Sequence, residues 1–196
     1  MALAQGVTIV LALASIRSAV RSESAQQLTA TRAMLDRTFS ERSRLLHATA
    51  DVLVSDFAFR EVVATSDRAT MQSVLANHSG RIGADLAVLY SPEGRVLSAS
   101  TPELAQQADH DLRLPQAGQK PAPFAVVGGR PYQIVFAPMR APQLIAWVAL
   151  GFELDADLAR QLAALAGTDV SFVYASDGAG PRSVSTLDAA ALCKMA

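Results

Sequence analysis

Three histidines are the side chains best suited by type to move protons or bind a metal near neutral pH, and their spacing argues against both roles. His47 falls in a long glycine-free stretch, His78 near the end of a short helical pattern, and His110 between Asp109 and Asp111. None belongs to an H-E-x-x-H pair, which would set two imidazoles on one helix face around zinc, with the glutamate as base. Asp109-His110-Asp111 has donor atoms for a cation, but three adjacent residues in a polar stretch read better as a solvated acidic loop. No G-x-S-x-G elbow and no P-loop occur. Gly128-Gly129 is not followed by a helical pattern, so it marks a turn and not a phosphate cradle. The single cysteine, Cys193, can form neither an internal disulfide nor a cysteine-based zinc site. These residues predict a chain that is not an enzyme in itself and that carries neither metal nor cofactor.

Binding asks for less than catalysis. A pocket for a small polar molecule needs aromatic walls and one or two polar groups, placed between a sheet and the segments that cover it. Tyr90, Arg95, Tyr132, Phe136 and Trp147 are the candidates for such a lining. Phe136 and Trp147 are equally suited to filling a core, and Arg81 and Arg95 to being surface charges.

The elements that must position these residues are legible in the punctuation. No glycine occurs between Gly6 and Gly80, and no proline before Pro92, a strong helical signal over that whole span. Leu28, Leu35, Phe39, Leu46 and Leu53 recur at heptad-like spacing, with Arg42 and Thr49 in the intervening seam positions. A helix over 17–55 would run roughly 58 Å at ~1.5 Å per residue, so it should protrude, pair with a second copy, or do both. The other use of the stripe after Phe39 is packing on its own domain. Phe57, Phe59, Val62 and Val63 form a short apolar cluster, and Ser66-Asp67 offers an N-cap for a helix carrying Met71, Val74, Leu75 and His78, closed by Gly80 and Gly83.

From Asp85 the texture becomes β. Leu86–Tyr90 and Val96–Ser100 flank the turn Ser91-Pro92-Glu93-Gly94. A polar loop follows over 101–123, with one helical turn near Pro102–Gln107. Strands are predicted at Phe124–Val127, Tyr132–Met139 and Leu144–Phe152, then a helix over 156–166 between Asp155 and Gly167, then a strand at Asp169–Ala175 and a turn at Ser176-Asp177-Gly178. The tail from Pro181 shows no pattern. The fold class is α+β, a long N-terminal helix leading into an antiparallel sheet flanked by helices, without the βαβ rhythm of a nucleotide-binding fold.

Three stretches resemble the Cache class of sensors, PAS-like extracytoplasmic domains of bacterial transmembrane receptors. LLHATADVLVSDFAFREVVATSD (45–67) is similar to the segment leading into the sensory domain, NHSGRIGADLAVLYSPEGRVLSAS (77–100) to its first hairpin, and VALGFELDADLARQLAALAGTDVSFVYASDG (148–178) to the returning strand, helix and next strand. The resemblance implies a sensory module of a receptor with a diguanylate cyclase, phosphodiesterase or histidine kinase output, none of which is in the sequence. It implies a small-molecule ligand, the bacterial inner membrane with the sensory domain in the periplasm, and a homodimer through the stalk helix. The organisation then reads as a partial transmembrane segment over 1–16, a stalk helix over 17–56, a Cache-like domain over 57–180 and a truncated or irregular tail over 181–196. A periplasmic adaptor without small-molecule sensing is the alternative.

The bulk numbers fit. At 196 residues the chain can bury one proper core, and its net charge of -1 gives none of the basic excess expected of a nucleic-acid binder. Apolar residues make up 51%, much of it alanine and the run MALAQGVTIVLALASI (1–16). That run is short of the ~20 residues a bilayer span takes. It reads as the outer part of a first transmembrane helix, as a signal peptide lacking its basic start, or as a buried helix. Arg17 and Arg21 just after it run against the usual placing of positive charge on the cytoplasmic side.

Overall fold

The computed structural model describes residues 2–65, 67–114, 123–176 and 179–186. The chain divides into two compact units, Met1–Glu41 and Arg42–Ala196. Helix α1 runs from Ala2 to Ser55 without a break, as the lack of internal proline and late glycine requires. Several hydroxyl side chains in its later half are absorbed locally. Thr38 Oγ1 donates to the Met34 carbonyl, Ser40 Oγ to Asp36, and Thr49 Oγ1 to Leu45. Among the described residues no helix is long and apolar enough to cross a membrane.

In the second unit, capping chemistry sets each boundary. Asp56 accepts the Phe59 N–H at 3.0 Å and starts α2 (Phe57–Thr65). Asp67 caps α3 (Arg68–Ile82), its side chain accepting the Ala69 N–H; Ser66 lies outside the described residues. Gly83 ends α3 in the left-handed region at φ 68, a backbone state that L side chains rarely adopt, while Gly80 stays inside the helix. Strands β1 (Leu86–Tyr90) and β2 (Val96–Ala99) form the first hairpin. The polar stretch beyond it folds further than one turn. Thr101 caps and Pro102 opens a ten-residue helix, α4 (Pro102–Asp111), because Leu104, Ala105 and Ala108 share a face with a sheet to rest on. Strands β3 (Phe124–Val127), β4 (Arg130–Arg140) and β5 (Leu144–Glu153) form the meander, and α5 (Ala156–Ala166) lies between its expected caps Asp155 and Gly167. The strand expected at Asp169–Ala175 is β6 (Ser171–Ser176), and it pairs in a hairpin with β7 (Ala179–Ser185), which extends into the tail from Pro181 where the residues show no pattern. Residues 187–196, including Cys193, lie outside the described set, as do 115–122 and Asp177-Gly178.

The main sheet is fully antiparallel with strand order β2-β1-β5-β4-β3. Side chains alternate across it. One face carries Ala87, Leu89, Val135, Ala137, Met139, Val148, Leu150 and Phe152. On this face the end of α1 contributes Ala50, Leu53 and Val54, α2 Phe59 and Val63, and α3 Met71 and Leu75. Leu46 packs there too, so the later part of the heptad stripe is used within its own domain. The face of α1 that stays in solvent instead carries Leu45 and Val52, seven residues apart and 68% and 72% exposed.

The hairpin β6–β7 echoes β1–β2. Gly83, Asp85, Tyr90 and Gly94 recur as Gly167, Asp169, Tyr174 and Gly178, each pair 84 positions apart, and Gly167 takes the same left-handed cap at φ 64. The neighbours differ. β1 pairs with both β2 and β5, whereas β6 pairs with β7 alone among the described residues.

Candidate ligand-binding site

The second face of the sheet carries the residues that the sequence singled out. Leu86, Val88 and Tyr90 of β1, Tyr132, Ile134 and Phe136 of β4, and Ala149 of β5 are buried there in one cluster, with Trp147 half-buried at its edge. Helix α4 lies over it through Leu104, Ala105 and Ala108, followed by Leu112 and Leu114. Tyr90, Tyr132, Phe136 and Trp147 are therefore brought together. Arg95 is not: it stands exposed near the β1–β2 turn, 4.0 Å from Glu93.

The floor is a trough with a narrow middle. Ala149 of the central strand sits between Val88 and Phe136, its register partners on either side, and Gly151 between Leu86 and Ile134. A methyl group at Gly151 would lie 2.9 Å from Leu86 Cβ and 3.1 Å from Ile134 Cδ1, so the two flanking side chains lean in over the glycine. The alternation of small residues at Ala149 and Gly151 within a buried strand was a readable sign of close approach.

Polar contacts are few and specific. Tyr90 Oη donates to the Leu112 carbonyl at 3.3 Å in a buried bond. Burial, aided by the nearby negative charge of Asp109, raises the Tyr90 phenol well above its ordinary pKa, so it acts as a neutral donor. Burial likewise raises that of Tyr132, with Glu153 adding to the effect and Arg130 opposing it. Arg130 Nη1 reaches Glu153 Oε2 at 3.3 Å at that end of the sheet. At the same β3–β4 turn, Asp111 Oδ2 accepts the Gly128 N–H at 2.9 Å, and its Oδ1 lies 2.7 Å from His110 Nδ1. The acidic triplet 109–111 thus ends α4 and pins it to the β3–β4 turn. Among the described residues no group of three or more histidine, cysteine or acidic side chains is arranged to hold a metal ion. From sequence Asp111 drew notice only as part of a solvated acidic triplet, and Gln107 and the Leu112 carbonyl not at all, because nothing local marks them as contacts to a hairpin 17 residues away.

Comparison with known proteins agrees with this architecture. Residues 21–195 match the family dCache_3, described as the double sensory domain of two-component sensor kinases. A five-stranded antiparallel sheet behind a long first helix, with a covered aromatic face, defines a Cache-type sensor domain, and the chain belongs to the dCache_3 family. No curated protein and no solved structure matches it.

Proposed function

We propose that this chain is the ligand-sensing part of a bacterial membrane receptor, held outside the cytoplasm, and that its ligand sits on the sheet face bearing Tyr90, Tyr132, Phe136 and Trp147. The observation that carries the reading is the unequal cover of the two faces. Three helices pack on one, and α4 is the only helix on the other among the described residues. The buried core of this face is apolar and aromatic, with Arg130, Glu153 and Asp111 at its margin. A small molecule whose body is apolar and whose polar groups reach that margin fits it, since a lone charge buried in the middle would cost several kcal/mol. Arg95 lies too far out to serve as its anchor.

In this reading the apolar N-terminal run and α1 connect the sensor to the inner membrane, with residues 17–56 as the stalk and 57–180 as the sensory domain in the periplasm. A ligand that prefers one arrangement of the sheet shifts its population, and α1 carries the change toward a cytoplasmic output of the kinase or cyclase kind. The chain has no catalytic role of its own. It works as a homodimer, and the seam is the solvent face of α1 carrying Leu45 and Val52, since Leu46 and Leu53 are spent on the core.

Thermal shift across a metabolite collection tests the sensing. A true ligand raises the melting temperature with concentration as RT ln(1 + [L]/Kd), and Trp147→Ala weakens the response. A flat profile would favour the second reading, a periplasmic adaptor. The exposed Val173 on the β6–β7 hairpin is the observation on its side.

A further inference from the structure

The two covers of the sheet differ in how firmly they are held. On the α1 side, Ala50, Leu53, Val54, Phe59, Val63, Met71 and Leu75 are sunk into the core. On the other side α4 contributes one fully buried residue, Ala108, and the partly buried Leu104 and Ala105. Beside these contacts, α4 is held by a small set of polar ties at its carboxyl end. Asp111 takes the Gly128 N–H, and Tyr90 donates to the carbonyl of Leu112, the residue that ends the helix. Gln107 lies against the same turn, so close that a methyl group at Gly128 would sit 2.5 Å from its Oε1. At the amino end, Thr101 Oγ1 accepts the Leu104 N–H at 3.2 Å, two residues beyond the last residue of β2.

We propose that α4 is a lid over the Tyr90 face, pivoting at Thr101 and latched at its far end by the Asp111–Gly128 bond. This rests on the reading that a ligand occupies that face, and it explains how one would enter. Tyr90, Tyr132 and Phe136 are 1%, 5% and 7% exposed with α4 in place, so the cluster is closed until the helix lifts. A segment with few buried apolar contacts opens at lower free energy than the strands beneath it. Losing one charge-assisted hydrogen bond at its free end should raise the open population about ten-fold or more.

Hydrogen–deuterium exchange on the 196-residue chain, without any ligand, tests the lid. The amides of α4 from Ala105 to Asp111 should exchange faster than those of β1 and β5 in the unmodified protein. Asp111→Ala should accelerate the α4 amides about ten-fold more, with β5 unchanged. Asp111→Asn, which keeps an acceptor oxygen but not its charge, should fall between the unmodified protein and Asp111→Ala. Exchange in α4 as slow as in β5, or equal α4 rates in the unmodified protein and Asp111→Ala, overturns the proposal. If Asp111→Ala does not fold, the comparison of α4 with β5 in the unmodified protein decides alone. A metabolite screen without hits leaves these rates as they are, so loss of the ligand reading and loss of the lid are separately visible.

Discussion

Tyr90 and Trp147 are register partners across the β1–β5 ladder, yet the tyrosine is closed off from solvent while the tryptophan is only half-buried. The pair marks the rim of the aromatic face: one ring anchors the cover through the Leu112 carbonyl, the other looks outward. Trp147 is the chain's one tryptophan, so its fluorescence reports on this rim without interference.

Tyr90→Phe removes the buried hydroxyl and leaves the Leu112 carbonyl without that donor. A loss of about 1–2 kcal/mol in urea unfolding is expected, together with a red shift of Trp147 emission as the cover loosens. Unchanged stability and emission would show that the bond holds nothing.

Gly151→Ala places a methyl group against Leu86 and Ile134, both buried, and the nearest of the atoms it meets is the Leu86 Cβ, which cannot move without its backbone. Overpacking of this kind costs about 1–3 kcal/mol, read as a fall in melting temperature. Ala149→Gly in the same strand creates no such clash and serves as the control for backbone effects.

Gln133 is 1% exposed, and its Oε1 has no hydrogen-bond partner among the described residues. It sits between Phe152 and Phe124 in register, two aromatic side chains that offer it no conventional acceptor or donor. Gln133→Met keeps the volume and removes the unsatisfied oxygen, so a gain of about 1 kcal/mol is expected in chemical denaturation. A loss instead would mean that the amide fills a polar need elsewhere on this face.

The α1 faces can be told apart by charge insertion. Leu53→Glu puts a carboxylate into the core and should abolish cooperative unfolding, whereas Leu45→Glu and Val52→Glu should leave the melting temperature within a few degrees. The proposed dimer should weaken only with the second pair, measured by sedimentation. Persistence of the dimer in Leu45→Glu with Val52→Glu would place the seam elsewhere.

Stability should fall on the acid side. The Phe59 N–H holds the Asp56 carboxyl below its ordinary pKa, as the Thr70 hydroxyl does for Asp67. A depressed folded-state pKa gives stability that is present above the unfolded value, near 4, and is lost as pH falls through the folded value. Urea midpoints should therefore drop below about pH 4, less steeply in Asp56→Asn with Asp67→Asn. Equal slopes in both proteins would remove the caps from the explanation.

Much of this fold was legible because it is punctuated locally. Asp67, Gly83, Asp155 and Gly167 announce their helices by backbone chemistry that needs no tertiary context, and Gly128-Gly129 announces its hairpin. Helix α4 was read as one turn because its apolar residues are few; it exists at full length by resting on the sheet. The direction of the Leu46–Leu53 stripe was open for a related reason. A heptad pattern states that a helix has an apolar side, but not whether a strand or a second helix receives it. Four of the five aromatic and basic candidates came together because period-2 alternation put them on one face, and Arg95 fell away because a turn obeys no such period.

The last turns of α1 are wedged into the sheet by Ala50, Leu53 and Val54. A shaft whose end is keyed in this way cannot spin or slide against its mount without tearing out buried methyl groups. In the proposed receptor, these buried contacts are where a change in the sheet would first meet the helix, and the thinner cover on the opposite side is where the domain has room to give.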